Sequence, residues 1–284
     1  MSPRIYIPIV FNNSSPVIGV QLAIPSTEYL LPNSMVETFI HWSVIEAQRG
    51  IYNWTSCDGL IYKLNRYKTI ICIKSSPNWA REVGTLQNNA PSSEYHIDFG
   101  NFVLAVINRY HPYAIEVWNE PDAHPGMAEY YGDIPDVAVY LKLLEQVYIK
   151  SNSSSLILAG ALANPISDYG KAVMASSYCD GISFHSYSYY PNPDYSLLGQ
   201  QVSYIRTRTS KPVWVTETSL LSNSADTLEL ERAQAEYYKF ILRNNGGATA
   251  ILWYALNGSC WKNNDLVRNN KKTLAYGIYE TVCK

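Results

Sequence analysis

Eight short runs of this chain carry apolar residues at nearly every position rather than at every second one. They are "VIGVQLAI" (17–24), "VETFIHWSVIE" (36–46), "TIICIKSS" (69–76), "YAIEVWNE" (113–120), "SLILAGAL" (155–162), "GISFHSYS" (181–188), "PVWVTETS" (212–219) and "ATAILWYAL" (248–256). A strand with one wet face alternates apolar and polar residues, whereas a strand covered on both faces has no reason to. The pattern therefore predicts eight strands of a parallel sheet. Between the runs the apolar spacing changes to the 3.6-residue period of helices. Helices are predicted at 56–67, 97–110, 135–151, 166–178, 195–209 and 225–244. Pro135 stands at a helix start, where its missing N–H is harmless, and Gly246–Gly247 follow the last helix as a stop. The segment 25–35 holds Pro25 and Pro32 and leaves little room for a helix.

Eight strands alternating with helices in 284 residues predict a (β/α)8 (TIM) barrel, with 1–284 as one domain and 1–16 as an N-terminal extension. The competing arrangement is an open doubly wound sheet. It usually has fewer strands and a Gly-rich phosphate loop after the first, and no such loop follows the first run here.

Composition narrows the functions. The formal net charge is −2 with no long run of either sign, so the basic stripe of a nucleic-acid binder is missing. No stretch of about 18 apolar residues is present, and no membrane span is expected. The opening "RIYIPIVF" is broken by Pro8 and makes a poor signal peptide. Charged residues are only 16%, against 24 Tyr and 7 Trp. Amphipathic rings suit a surface that meets sugars or other hydroxyl-rich ligands, although core packing accounts for most of them. The five Cys (57, 72, 179, 260 and 283) form no CxxC and no His-rich spacing, so no zinc site is expected. An odd number leaves at least one unpaired, and Cys72, inside an apolar run, reads as a buried thiol. Sequons at Asn12, Asn13, Asn53, Asn152 and Asn257 tilt the location toward secretion or the cell surface. Oligomeric state has no signature in the chain.

In a barrel of this kind the chemistry sits at the C-terminal ends of the strands. There the runs end in His41, Trp42 and Glu46; in Lys74, Ser75 and Ser76, followed by Trp79; and in Trp118, Asn119 and Glu120. The later ones end in His185, Ser186 and Tyr187, in Glu217, and in Trp253 and Tyr254. Pro121, which has no N–H, stops strand pairing directly after Glu120. Strands four and seven lie on roughly opposite sides of an eight-membered ring, so Glu120 and Glu217 face each other across its mouth. Two carboxyl groups flanking one bond are the machinery of glycoside hydrolysis. The plain alternatives are rim carboxylates without a role for the Glu pair and a packed core histidine for His185. Trp42 and Trp54 read foremost as packing residues, with Trp42 kept as a site candidate, and Glu46, Glu229, Glu231 and Glu236 as surface or structural.

Asn119-Glu120-Pro121 at the fourth strand end and Glu217 at the seventh resemble the clan A glycoside hydrolases. "WNEPD" and "WSVIEAQRGIYNWTSCD" are similar especially to the family 39 branch. The resemblance implies a retaining β-glycoside hydrolase working by double displacement on an oligo- or polysaccharide, with no metal or organic cofactor. In it Glu120 is the acid/base and Glu217 the nucleophile. Asn119 hydrogen-bonds the sugar 2-hydroxyl, Tyr187 orients Glu217, and Trp253 carries the sugar ring. His41, Trp79 and His185 are the further sugar contacts. Clan members often carry an Arg near the end of strand two, but the residues before His41 read "VETFI". That departure is what favours the rival reading, a carbohydrate-binding barrel that has lost catalysis.

Overall fold

Eight parallel strands hydrogen-bond in sequence order and close on themselves into a barrel. They are β1 (Val17–Gln21), β2 (Met35–His41), β3 (Lys68–Lys74), β4 (Ala114–Val117), β5 (Leu156–Leu162), β6 (Gly181–Tyr189), β7 (Val213–Leu221) and β8 (Ala250–Trp253). The seam runs between β1 and β8, with Val17 opposite Ala250 and Val20 opposite Trp253. The computed structural model describes residues 15–123, 134, 136–151, 154–223, 225–259 and 263–284. The expected extension 1–16 falls almost wholly outside them, as do Asn12, Asn13, Asn152 and Cys260.

The helices are α1 (Trp42–Ile45), α2 (Thr55–Leu64), α3 (His96–Tyr110), α4 (Val137–Lys150), α5 (Asp168–Ala175), α6 (Leu197–Arg206), α7 (Leu228–Arg243) and α8 (Leu274–Cys283). Each expected helix is present with shifted ends. In α7 the Thr227 hydroxyl caps the start by accepting from the Leu230 N–H, and Leu230, Gln234, Tyr237, Tyr238 and Ile241 form the buried face. Residues 25–35 form no helix, as expected. The C-terminal α8 covers that side instead, with the Tyr276 hydroxyl donating to the Tyr29 carbonyl. A hairpin of β9 (Val267–Arg268) and β10 (Lys271–Lys272) precedes α8. Among the described residues no helix is long and apolar enough to cross a membrane.

One expected strand needs correction. The run 36–46 does not stay extended: β2 ends at His41, and Trp42–Ile45 make one helical turn. Glu46 closes that turn from a buried position, accepting from Trp42 Nε1 at 2.6 Å and from the Gly50 N–H at 2.7 Å.

Alternation along the strands makes two apolar layers. Met35, Ile70, Ala114, Leu158, Trp214, Ala250 and Leu252, drawn from six strands, form one buried cluster. Side chains from six strands of a closed ring can meet only inside it, so these residues plug the bottom of the barrel. The opposite faces, including Ile71, Ile73, Ile115, Val117, Val215, Ile251 and Trp253, join the helices in a second, larger cluster. This division decides which strand-end residues reach the mouth.

Candidate active site

Glu120 reaches the mouth through a backbone that leaves the extended region. Trp118 has φ 72° and Glu120 φ 46°, both in the left-handed region, where a non-glycine residue costs about 1–3 kcal/mol. The surroundings hold it there. The Glu120 N–H donates to the Ala161 carbonyl at 3.0 Å. From α4, the Tyr140 hydroxyl donates to the Val117 carbonyl at 2.9 Å and accepts from the Gly160 N–H at 2.8 Å, tying β4 to β5. Asp122 accepts from the N–H groups of Ala163 and Asn164 at 2.8 and 2.9 Å. Glu217 arrives on β7, where the register against β8 shifts between Val215 and Thr218.

The two carboxyl groups meet at one nitrogen. His185 Nδ1, from β6, lies 2.6 Å from Glu120 Oε1 and 3.5 Å from Glu217 Oε2. Those two oxygens are thus no further apart than the sum of the two contacts. Glu217 is gripped on both sides: Gln21 Nε2 donates to Oε1 at 2.8 Å, and the Tyr187 hydroxyl donates to Oε2. All of these side chains except Tyr187 are buried. Burial pushes the Glu217 carboxyl up, the charge of His185 pulls it back, and Glu120 adds to the rise. Burial opposes a charge on His185, but the carboxylates of Glu217 and Glu120 outweigh it and carry the imidazole up to about 9. His185 Nδ1 thus stands between the two acids.

The remaining expected residues divide into two groups. Asn119 is buried beside Glu120, and its Oδ1 accepts no hydrogen bond from the described residues. His41 stands on the inner face of β2, half-buried, with Nδ1 at 2.9 Å from Ser75 Oγ. Burial first, and Lys74 second, lower its imidazole to about 4, so it is neutral. Trp253 and Trp79 do not face the mouth. Trp253 is fully buried in the outer layer: its ring centroid lies 4.6 Å from that of Tyr238 on α7, and its Nε1 donates to the Asn264 carbonyl at 2.7 Å. The residue at the mouth is Tyr254, one position on and in step with Ala250 and Leu252, with its ring edge-on to Tyr187 at 6.1 Å. Trp79 packs edge-on against Trp42 and Tyr95 and gives its Nε1–H to the Glu46 carbonyl at 2.8 Å. Trp42, fully buried against Phe99 and Phe102, is core. Sequence reasoning missed Gln21, whose place at the end of "VIGVQ" gave no hint of a partner 196 residues away. It also missed Glu37 and Glu116, which lie buried inside the barrel. The described cysteines 57, 72, 179 and 283 are all free, buried thiols.

No family model matches this sequence, and no curated protein matches it. Solved structures do. A GH39 β-xylosidase from Caulobacter crescentus is 16% identical with TM-score 0.68, over 95% of this chain and 71% of that one. An exo-β-1,4-mannosidase from Opitutaceae bacterium strain TAV5 is 16% identical with TM-score 0.72, over 95% of this chain and 59% of its own. A GH10 xylanase from Bispora sp. MEY-1 is 14% identical with TM-score 0.68, over 93% and 96%. At these identities the likeness establishes the (β/α)8 fold that the chain shares with these glycosidases.

Proposed function

We propose that this protein is a retaining β-glycoside hydrolase of the clan A type, with Glu217 as nucleophile and Glu120 as acid/base. The observation that carries the reading is the convergence of the two carboxyl groups on His185 Nδ1 across the barrel mouth. So close an approach of one oxygen from each suits direct attack on carbon, for which the two groups stand about 5–5.5 Å apart, better than the roughly 6.5–9.5 Å that inverting enzymes keep for a water. In the first step a Glu217 oxygen bonds to the anomeric carbon, the glycosidic C–O bond breaks, and Glu120 gives its proton to the leaving oxygen. In the second, Glu120 takes a proton from water, the water oxygen bonds to the same carbon, and Glu217 is released. Tyr187 and Gln21 hold the Glu217 carboxylate in line. Asn119 is the acceptor for the 2-hydroxyl, and His41 and His185 border the sugar. The substrate class is a β-linked oligo- or polysaccharide, and similarity to a xylosidase, a mannosidase and a xylanase supports that class without choosing a sugar. An exposed sequon at Asn53 supports a place outside the cell or on its surface.

The test is stereochemical. Proton NMR early in hydrolysis of a β-glycan should show a first-formed product that keeps the β-configuration. An α-product sinks the mechanism.

Tyr254 takes over the role of sugar platform that its neighbour was expected to fill. Trp253→Ala should lower folding stability by about 3–5 kcal/mol, the usual cost of emptying a buried indole site. Tyr254→Ala should leave the melting temperature nearly unchanged and weaken binding of the sugar product in calorimetry. The opposite pairing of effects would restore Trp253 as the platform.

A further inference from the structure

Below the mouth, β2, β3 and β4 each send one titratable side chain into the barrel interior: Glu37, Cys72 and Glu116. All three are fully buried, and one donor or acceptor atom from each lies within 4.8 Å of the others. The register explains the meeting. Cys72 is paired with Phe39 on one side and Glu116 on the other, and Glu37 shares the face of Phe39, two residues earlier. No N–H or O–H from any other described residue reaches the four carboxyl oxygens. Two ionised carboxylates sealed in this way would suffer both the loss of water and their mutual repulsion. A single proton between them relieves both, because a carboxylic acid has an O–H to donate and its neighbour an oxygen to receive it.

We propose that Glu37 and Glu116 share one proton, with Glu37 as donor, and that the one negative charge left on the pair helps to raise the pH at which Glu217 above it ionises. The second half rests on the reading of Glu217 as the nucleophile. The pair is a positioning device, since neither residue touches the mouth.

The surrounding charges agree with this assignment. The titratable groups that act on the pair are Cys72 and Lys74 on β3, Tyr140 on α4, His185 on β6 and Glu217 on β7. Burial, then Glu116, then Glu217, hold the Glu37 carboxyl well above the usual carboxylate range, and Lys74 offsets this only in part. Glu116 is in turn among the groups that raise both Glu217 and His185. Burial also pushes the Cys72 thiol well up, so it stays a thiol.

The experiment is a carbon-13 NMR titration of the Glu side-chain carboxyl signals in the free protein, on wild type, Glu37→Gln and Glu116→Gln. The signal lost in Glu37→Gln should stay at its protonated position wherever the fold is stable. Glu37→Gln exchanges a neutral acid for a neutral amide that still donates to Glu116, so the Glu217 titration should not move. Glu116→Gln removes the charge, and the Glu217 titration should fall by about half a pH unit or more. The infrared carbonyl band of a protonated acid in the wild-type protein, absent in Glu37→Gln, needs no change at Glu116. An ionised Glu37 at neutral pH overturns the proposal. So does an equal fall of the Glu217 titration in Glu37→Gln, or one equivalent of a divalent metal in the purified protein. The readout needs no turnover, so a failed glycosidase reading leaves this test standing, and failure here leaves the glycosidase reading intact.

Discussion

Glu217→Ala should fold and bind glycan but lose turnover by more than the roughly 10⁴-fold that marks the top of ordinary acid–base effects. The reason is that the variant lacks the atom that bonds to carbon, and nothing nearby can replace it. Gln21 and Tyr187, the two groups that hold the carboxylate, are left pointing at an empty space that still admits a small anion. Added azide should enter from that side and restore turnover of an activated aryl β-glycoside. The product should be the α-glycosyl azide, because a single displacement from the Glu217 side inverts the centre. A β-azide, or activity within tenfold of wild type, would remove Glu217 from the nucleophile's role.

Glu120→Gln should lose about 10²–10⁴-fold on natural glycans, whose alkoxide leaving groups need a proton as the bond breaks. Activated aryl glycosides leave without that help, so formation of the glycosyl-enzyme from them should be far less affected. Its breakdown should slow, because the base that activates water is also gone, and the covalent intermediate should build up as a burst of released phenol. The amide keeps the shape of the side chain and its approach to His185 Nδ1, which lies 2.6 Å away in the acid form. A loss confined to glycans therefore reports the proton and not a disturbed site. Equal losses on both substrate types would argue that Glu120 only supports the rim.

Much of the arrangement behind these two expectations was legible before any coordinates. "IEVWNEPD" and "VTETS" mark the ends of buried strands, and a closed ring of eight puts strands four and seven across from each other. The side chains of Glu120, His185, Tyr187 and Glu217 do meet. What misled was the eighth run. "ATAILWYAL" is apolar on both faces, so its pattern cannot say whether Trp253 or Tyr254 turns inward, and the larger ring was the natural choice. Pairing of Trp253 with Val20 and Thr218, and its packing on Tyr238, settle that it turns outward. Trp79 misled for a related reason. It follows a strand end closely, but the chain carries it sideways onto Trp42 and Tyr95.

The sequence by itself determined the number and order of the strands, because burial on both faces leaves a mark in every run. It also determined which strand ends bear carboxyl groups, since a polar residue at the end of an apolar run is visible in isolation. Only the tertiary structure decided which side chains share the interior. Glu37 and Glu116 come from strands that are not neighbours, and Gln21 and Glu217 are 196 residues apart. Their meeting depends on barrel closure and on register between strands, and a one-residue slip in register exchanges the faces while leaving every local pattern unchanged.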